Sequence, residues 1–572
     1  MFRRIGDWLD ERLFHRAMLK ALLGGSVQGG SRIAHTFGVV LLVLFLLEAL
    51  TGVGLAAYYA PTSTAAWASV SYIQNQVTLG WLMRGLHHFG ASAMVVVVGV
   101  HLLQTLFFAA YRSPRELNWV IGVLLLQLLV LVSHTGYLLP GDLHSYWATE
   151  VLLSITGNQP VVGEPAQLVI QGGSQPGNLT STHLYALHAW VGPALFAGVI
   201  VLHVMLRRRQ GATVPLGMSE TEAAARSEPY WPHQLFKDLF VSLLVVAVLV
   251  AVVVVRGGAK LHAPADPAIE FVARPEWYML PVFQLRHYFT GEQEFIATTV
   301  LPGAAMTFLA LIPFLDKALS KITSRSPQLL ASAVVLGGVG ALGLGAMVVV
   351  TDQKDPEVTR IMTQAEALAE EAKRLAALGV PVTGPLELYK NDPLVWGRRV
   401  FALQCANCHK SCDTLLYDGV VCLQGYASRK WLTAFMRAPD AKHFFGNTKI
   451  DSMDAFEGEE EDLKGIVEFV YSQAGRTDVD KALAQKGAEL YDSEGCQSCH
   501  SLDGQGTGDG PDLKGWASEK WLAAFIRQPG AFHFYGKDNE MDAFPHEKLD
   551  HDELSAVISY LRTQADADAK FR

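Results

Sequence analysis

Seven apolar segments constrain this chain more than any other feature. They run near 33–57, 81–110, 117–138, 184–206, 237–256, 295–315 and 329–350. A helix needs about 20 apolar residues to cross a hydrocarbon layer. Inside that layer a backbone satisfies its own polar groups only as a helix or a closed barrel. The fold class predicted is therefore all-α, a seven-span bundle. A connection over 139–183, rich in Gly, Pro and polar residues, separates spans three and four and is too long for an idle turn. Basic residues orient the bundle. Arg112 and Arg115 follow span two, Arg207, Arg208 and Arg209 follow span four, and Lys317, Lys321 and Arg325 follow span six. The stretches 58–80 and 139–183 carry no Lys or Arg. By the positive-inside rule the basic loops and the N-terminus face the cytoplasm of a bacterial inner membrane, and seven crossings leave the C-terminus in the periplasm. Residues 1–32 begin "MFRRIGDWLDERLFHRAMLK", read here as an amphipathic helix on the membrane surface rather than a cleavable leader.

Four histidines inside the spans carry the first chemistry. Span two holds His87 and His101, 14 apart, and span four holds His188 and His203, 15 apart. Fourteen residues of helix rise roughly 21 Å and return the side chain close to the same face. Two such helices facing each other offer histidine pairs at two depths, which suits bis-imidazole ligation of two b-type haems. Ionisable residues within spans are costly and are usually functional. Span one has Gly38 and Gly52, and span three has Gly122 and Gly136, each pair also 14 apart. Glycines in that register read as slots that let a flat macrocycle approach the backbone. Arg84, one turn before His87, is either a partner for a haem propionate or an interfacial anchor.

The remainder has a different composition. From Pro385 onward there are 21 Lys+Arg against 31 Asp+Glu, as expected of a soluble acidic module with no nucleic-acid partner. A charged, Ala-rich stretch over 352–384 reads as a helical stalk ending in a Pro/Gly hinge. All six cysteines lie in this tail, four of them in two Cys-x-x-Cys-His tags: Cys405, Cys408 and His409, then Cys496, Cys499 and His500. "GYASRKWLTAFMRAPDAKHFFG" at 425–446 repeats as "GWASEKWLAAFIRQPGAFHFYG" at 515–536. Two tags in register, each followed by a methionine in Met-Asp-Ala-Phe, predict two covalent c haems with His409 and His500 proximal and Met453 and Met541 on the far side. Met436 is the rival in the first repeat, and His443 and His533 are alternative sixth ligands. Cys412 and Cys422 have no counterpart in the second repeat and are either a disulfide or two thiols.

These residues resemble the cytochrome b family of quinol-oxidising cytochrome bc complexes. The stretch from "WLMRGLHHFGASAMVVVVGVH" to "TGYLLPGDLHSYWATEV" is similar to its four-span half. "PADPAIEFVARPEWYMLPVFQLR" is similar to its C-terminal half and carries Pro275-Glu276-Trp277-Tyr278. The resemblance covers roughly 1–350, and the tail is similar to class-I cytochrome c. It implies that His87 and His188 ligate an outer, low-potential haem and His101 and His203 an inner, higher-potential one. It also implies that Glu276, with Tyr278 beside it, takes a proton from quinol, and that "GYLLPGDLHSYW" lines the facing wall. There Gly141 replaces the family's tryptophan and is expected to widen the pocket. His134 and His144 are extra to the family pattern: proton relays or interfacial histidines. "YWPHQLFKDLF" resembles the inner quinone segment, with Lys237 and Asp238 as its polar pair; a snorkelling lysine beside an interfacial aspartate is the other reading. The span count and the span-four spacing resemble the chloroplast-type branch, whose extra haem hangs on a cysteine early in span one; Thr36 stands there instead, so no covalent haem is expected in the membrane.

The organisation predicted is a surface helix at 1–32, a four-span region at 33–216, a three-span region at 217–351, the stalk at 352–384, and cytochrome c units at 385–475 and 480–572. The resemblance implies a quinol:cytochrome c oxidoreductase subunit. In it, quinol oxidation is bifurcated at the outer face, one electron crosses the two b haems to an inner quinone, and the c haems pass electrons onward. A Rieske iron–sulfur protein on a separate chain, a soluble cytochrome c or terminal oxidase, membrane quinone and a second copy of the complex are the partners implied. Two other readings stand beside it: a membrane electron wire without outer-site quinol chemistry, and reverse flow from the c haems into the quinone pool.

Overall fold

The structure is a computed structural model. It describes the chain apart from residues 1–6, 9, 13, 15, 18–22, 212, 215–217, 410–420, 422, 447, 449–452, 508 and 564–572. The Cys412–Cys422 pair lies outside the described residues. Helix dominates; the described strands are the two-residue pair Ser26–Val27 and Glu228–Pro229. The chain divides into two compact units, Met1–Leu388 and Tyr389–Arg572.

Seven helices of the first unit are long and apolar enough to cross a membrane: α1 (Phe37–Ala56), α2 (Gly80–Phe107), α3 (Glu116–Tyr137), α4 (Asn178–Gln210), α5 (Tyr230–Arg256), α6 (Ile296–Leu319) and α7 (Ser326–Lys354). Their order and number are those predicted. Large side chains such as Leu50, Val53, Val255, Leu336 and Leu342 are exposed on them, as helices bathed by lipid require. The long connection holds two helices, Leu143–Gly157 and Gly163–Gln171, before α4 begins. Asp142 caps the first by accepting the Ser145 N–H at 2.9 Å. α2 packs on α1 and α4 packs on α3, and α5 closes against α1 and α2. Among the described residues α2 and α4 have no extended packing on each other, and their outer histidine rings lie opposite one another. α8 (Pro356–Ala376) follows the last span.

The second unit contains both tagged repeats. The first holds α9 (Pro393–Val400), α10 (Arg429–Arg437) and α11 (Glu460–Gln473); the second holds α12 (Lys481–Ser493), α13 (Glu519–Arg527) and α14 (His551–Thr563). The middle helix of each repeat packs on the last helix of its own repeat, α10 on α11 and α13 on α14. The first helices are exchanged: α9 lies on α14 and α12 on α11. Each crossing is closed by a glycine. A Cβ at Gly397 would sit 1.9 Å from the Ala556 carbonyl oxygen, and one at Gly487 would sit 1.9 Å from that of Gly465. An aromatic pair flanks each crossing, Phe401 with Tyr560 and Phe469 with Tyr491. Trp516 completes the shared core against Tyr426 and Trp431.

One ion pair ties this unit together. Arg429 donates Nε and NH2 to the two oxygens of buried Glu468 at 2.6 and 2.8 Å, and the Asp480 N–H donates to the same carboxylate at 2.8 Å. The hydrogen bond from Arg429 holds the Glu468 carboxyl below its ordinary range, against the opposing effect of burial. A depressed carboxylate contributes stability above its unfolded pKa and loses it as pH falls through the folded value. The thermal midpoint of this unit should therefore drop as pH falls below about 4. Glu468→Gln should cost about 2 kcal/mol at neutral pH and flatten the acid limb, both measurable by melting curves at several pH values.

Candidate functional site

The four predicted histidines meet the four predicted glycines one to one. The missing Cβ of Gly38 points at His101, that of Gly52 at His87, that of Gly122 at His203 and that of Gly136 at His188. The nearest approaches to Cε1 would be 3.7, 3.1, 3.5 and 2.5 Å respectively. The glycines thus make room first for the imidazole rings that project across to them. At the outer level the His87 and His188 rings lie opposite each other, with centroids 5.9 Å apart and planes at 89°. Two metal–nitrogen bonds of about 2 Å and the radii of two imidazoles fill that distance, so this pair fits an iron between the rings. His188 Nδ1 lies 3.0 Å from the Val132 carbonyl and 3.4 Å from Thr135 Oγ1, which fixes the ring and turns Nε2 toward the gap.

His87 is held differently. Its Nδ1 lies 3.0 Å from Thr51 Oγ1 and 3.0 Å from Glu48 Oε2. Neither residue was anticipated. A carboxylate in the middle of an apolar run is a signal in its own right, and Glu48 carried it. Arg84 is bound elsewhere: it donates to Gln74 Oε1 at 2.9 Å and to the carbonyls of Ala259 and Lys260 at 2.8 Å. It pins the loop after α5 to α2.

The Pro-Glu-Trp-Tyr segment reaches both sides of this outer level. Trp277 Nε1 donates to Ser92 Oγ on α2 at 3.3 Å, and the Tyr278 phenol neighbours Ser133 on α3. Burial, then the neighbouring Glu276, raises the Tyr278 phenol above its ordinary range. The facing wall is a run of rings: His134 against Tyr137 at 4.9 Å, Tyr137 against His144 at 5.8 Å, and His144 stacked on His262 at 5.6 Å. Asp142 beneath them is buried, yet His262, His144 and the N–H groups of Ser145 and His262 draw its carboxyl below the usual range. The expected widening at Gly141 does not occur. Gly141 has φ of 68°, and a Cβ there would lie 2.9 Å from Ala66 Cβ and 3.0 Å from the Trp67 nitrogen. The helix Ala66–Asn75 occupies the space, and glycine is required for the turn.

At the opposite end, Lys237 and Asp238 diverge. Lys237 Nζ donates to Ser31 O and Oγ at 2.7 and 2.8 Å, whereas Asp238 accepts from Tyr230 and Gln234, both at 2.8 Å. Ser31 and the Gly30 region also meet Glu228, so the polar pair is embedded in one network that joins the chain before α1 to the start of α5.

In the tail, the two tag histidines are oriented alike. His409 Nδ1 lies 2.9 Å from the Val421 carbonyl and His500 Nδ1 2.9 Å from that of Pro511, which leaves Nε2 of each for a metal. Burial favours the neutral ring in both, the form that ligates. Among the described residues Cys405, Cys408, Cys496 and Cys499 form no disulfide. Met541 packs against the shared core; Met453 is 37% exposed, and Met436 is buried. His443 and His533 each sit against the following phenylalanine at 4.3 Å.

A membrane bundle with facing histidine pairs, followed by a module with two Cys-x-x-Cys-His tags, defines a haem-carrying electron-transfer protein of the membrane. Comparison places it further. The family described as "Cytochrome b(N-terminal)/b6/petB" matches residues 92–265, and "Cytochrome c" matches 484–565. Cytochrome b6 of Synechococcus sp. (strain JA-3-3Ab) is 38% identical over 213 residues, 37% of this chain and 99% of that protein. Cytochrome b/c1 of Bradyrhizobium diazoefficiens is 32% identical over 320 residues, 54% of this chain and 46% of that one. A solved structure titled "Hyperthermophilic respiratory Complex III" is 24% identical, with a TM-score of 0.49, covering 64% of this chain and 98% of that one. The chain belongs to the cytochrome b/b6 family and carries a C-terminal cytochrome c domain.

Proposed function

We propose that this chain is the cytochrome b/c subunit of a proton-translocating quinol:cytochrome c oxidoreductase, oxidising quinol at its outer face. The observation that carries this reading is the placement of Glu276, Trp277 and Tyr278 between α2 and α3 beside the outer histidine pair. His87 with His188, and His101 with His203, would hold two b haems; the tags would hold two c haems, with Met453 and Met541 as the far ligands. The bound haems supply one-electron transfer. The residues of the chain do the rest. Glu276 accepts a proton from the quinol hydroxyl, Tyr278 orients the ring, and the wall of Tyr137, His144 and Phe271 excludes water. Lys237 and Asp238 bind and protonate quinone at the inner face. One electron from quinol leaves to a Rieske iron–sulfur protein and on toward the tail, the other crosses the bundle, and protons are released in the periplasm.

The test is quinol-driven reduction of the c haems, with and without an outer-site inhibitor. Glu276→Gln should slow it about a hundredfold and leave the b and c spectra intact. Unchanged, inhibitor-insensitive reduction would leave the chain a wire rather than a quinol oxidase.

A further inference from the structure

Glu48 is a feature of the outer histidine pair that the proposed function does not use. It lies in α1, with its side chain 15% exposed, and it reaches His87 Nδ1 with one oxygen at 3.0 Å. Its other oxygen, Oε1, is buried without a hydrogen-bond partner among the described residues. The site is made for it: a Cβ at Gly90 on α2 would lie 1.9 Å from Oε1, so glycine there leaves the carboxylate its room, and Leu249 of α5 lies beside the same spot. The other outer ligand, His188, meets a backbone carbonyl instead, and the inner His101 and His203 have buried Nδ1 atoms without such a partner. Among the described residues, only His87 of the four has a carboxylate at its back.

Resting on the reading that His87 and His188 hold the outer haem, we infer that Glu48 is a positioning residue. It takes the His87 Nδ1–H, fixes the ring with Nε2 toward the iron, and lowers the potential of the outer haem below that of the inner one. An anionic acceptor behind an imidazole raises the electron donation of the ring, and a nearby negative charge favours the oxidised iron with its extra positive charge. The same positive charge compensates the carboxylate for its burial. With the charge confined to the outer level, the electron's descent runs inward from the outer haem to the inner one. Thr51, whose hydroxyl donates to the Leu47 carbonyl at 2.7 Å, offers a neutral second acceptor to the same Nδ1–H.

The experiment is a redox titration of both b haems in the intact protein, followed in the visible spectrum, for wild type, Glu48→Gln and Thr51→Val. Glu48→Gln should raise the midpoint of the outer haem and leave the inner one in place, and Thr51→Val, which keeps the charge, should shift the outer midpoint less. An outer midpoint unchanged in Glu48→Gln, or equal shifts at both haems, would overturn the inference. Loss of the outer haem in Glu48→Gln supports the holding role if Thr51→Val retains it; loss in both overturns it. A wild-type protein without two b haems fails the underlying reading instead, and shows that before any substitution is made.

Discussion

Gly136→Ala is expected to cost the protein its outer b haem and spare the inner one. The new methyl would lie 2.5 Å from His188 Cε1 and 3.0 Å from Nδ1, distances that carbon contacts do not tolerate. His188 has nowhere to retreat, because Val132 and Thr135 hold its Nδ1 on the same helix that carries the glycine. The four glycines form a graded series. Gly52→Ala, at 3.1 Å from His87, should weaken the outer haem, whereas Gly122→Ala and Gly38→Ala, at 3.5 and 3.7 Å, are ordinary contacts and should leave the inner haem bound. Reduced-minus-oxidised spectra of the four variants give the order directly. Equal effects at all four positions would mean that the glycines serve helix packing alone.

The second large effect is expected in the tail. Gly487→Val places a branched side chain where even a Cβ would lie 1.9 Å from the Gly465 carbonyl, and it should destabilise the cytochrome c module by about 3 kcal/mol. Because α12 belongs to the second repeat and α11 to the first, the damage should cross between repeats. The first tag, in the unsubstituted repeat, should lose haem occupancy together with the second. Haem staining of proteolytic fragments carrying each tag reads this out. Loss confined to the second tag would mean that the helices are not exchanged.

Much of this was legible because the bilayer enforces long uniform helices and haem ligation enforces fixed spacings. The seven spans and the histidine and glycine registers at 14 and 15 residues follow from those two constraints. The exchange of α9 and α12 was not legible, since each repeat carries the same three helices whichever partner they choose, and only tertiary packing decides between them. Gly141 misled for a related reason. Removing a large side chain opens a pocket only where no other element moves in, and here the helix Ala66–Asn75 does. Arg84 lies one turn before His87, but two of its N–H groups go to carbonyls of a loop distant in sequence and a third to Gln74. Glu48 lay in plain view among apolar residues, and its role waited on the position of His87.

A haem count per chain tests the ligand set His87, His101, His188 and His203 together with the two Cys-x-x-Cys-His tags. Pyridine haemochrome analysis of the purified protein should give two b haems and two c haems. On a denaturing gel the c haems should stay with the chain and the b haems should leave it. One b haem per chain would contradict the assignment of His87, His101, His188 and His203, and a third haem retained on the gel would contradict the expectation, drawn from Thr36, of no covalent haem in the membrane.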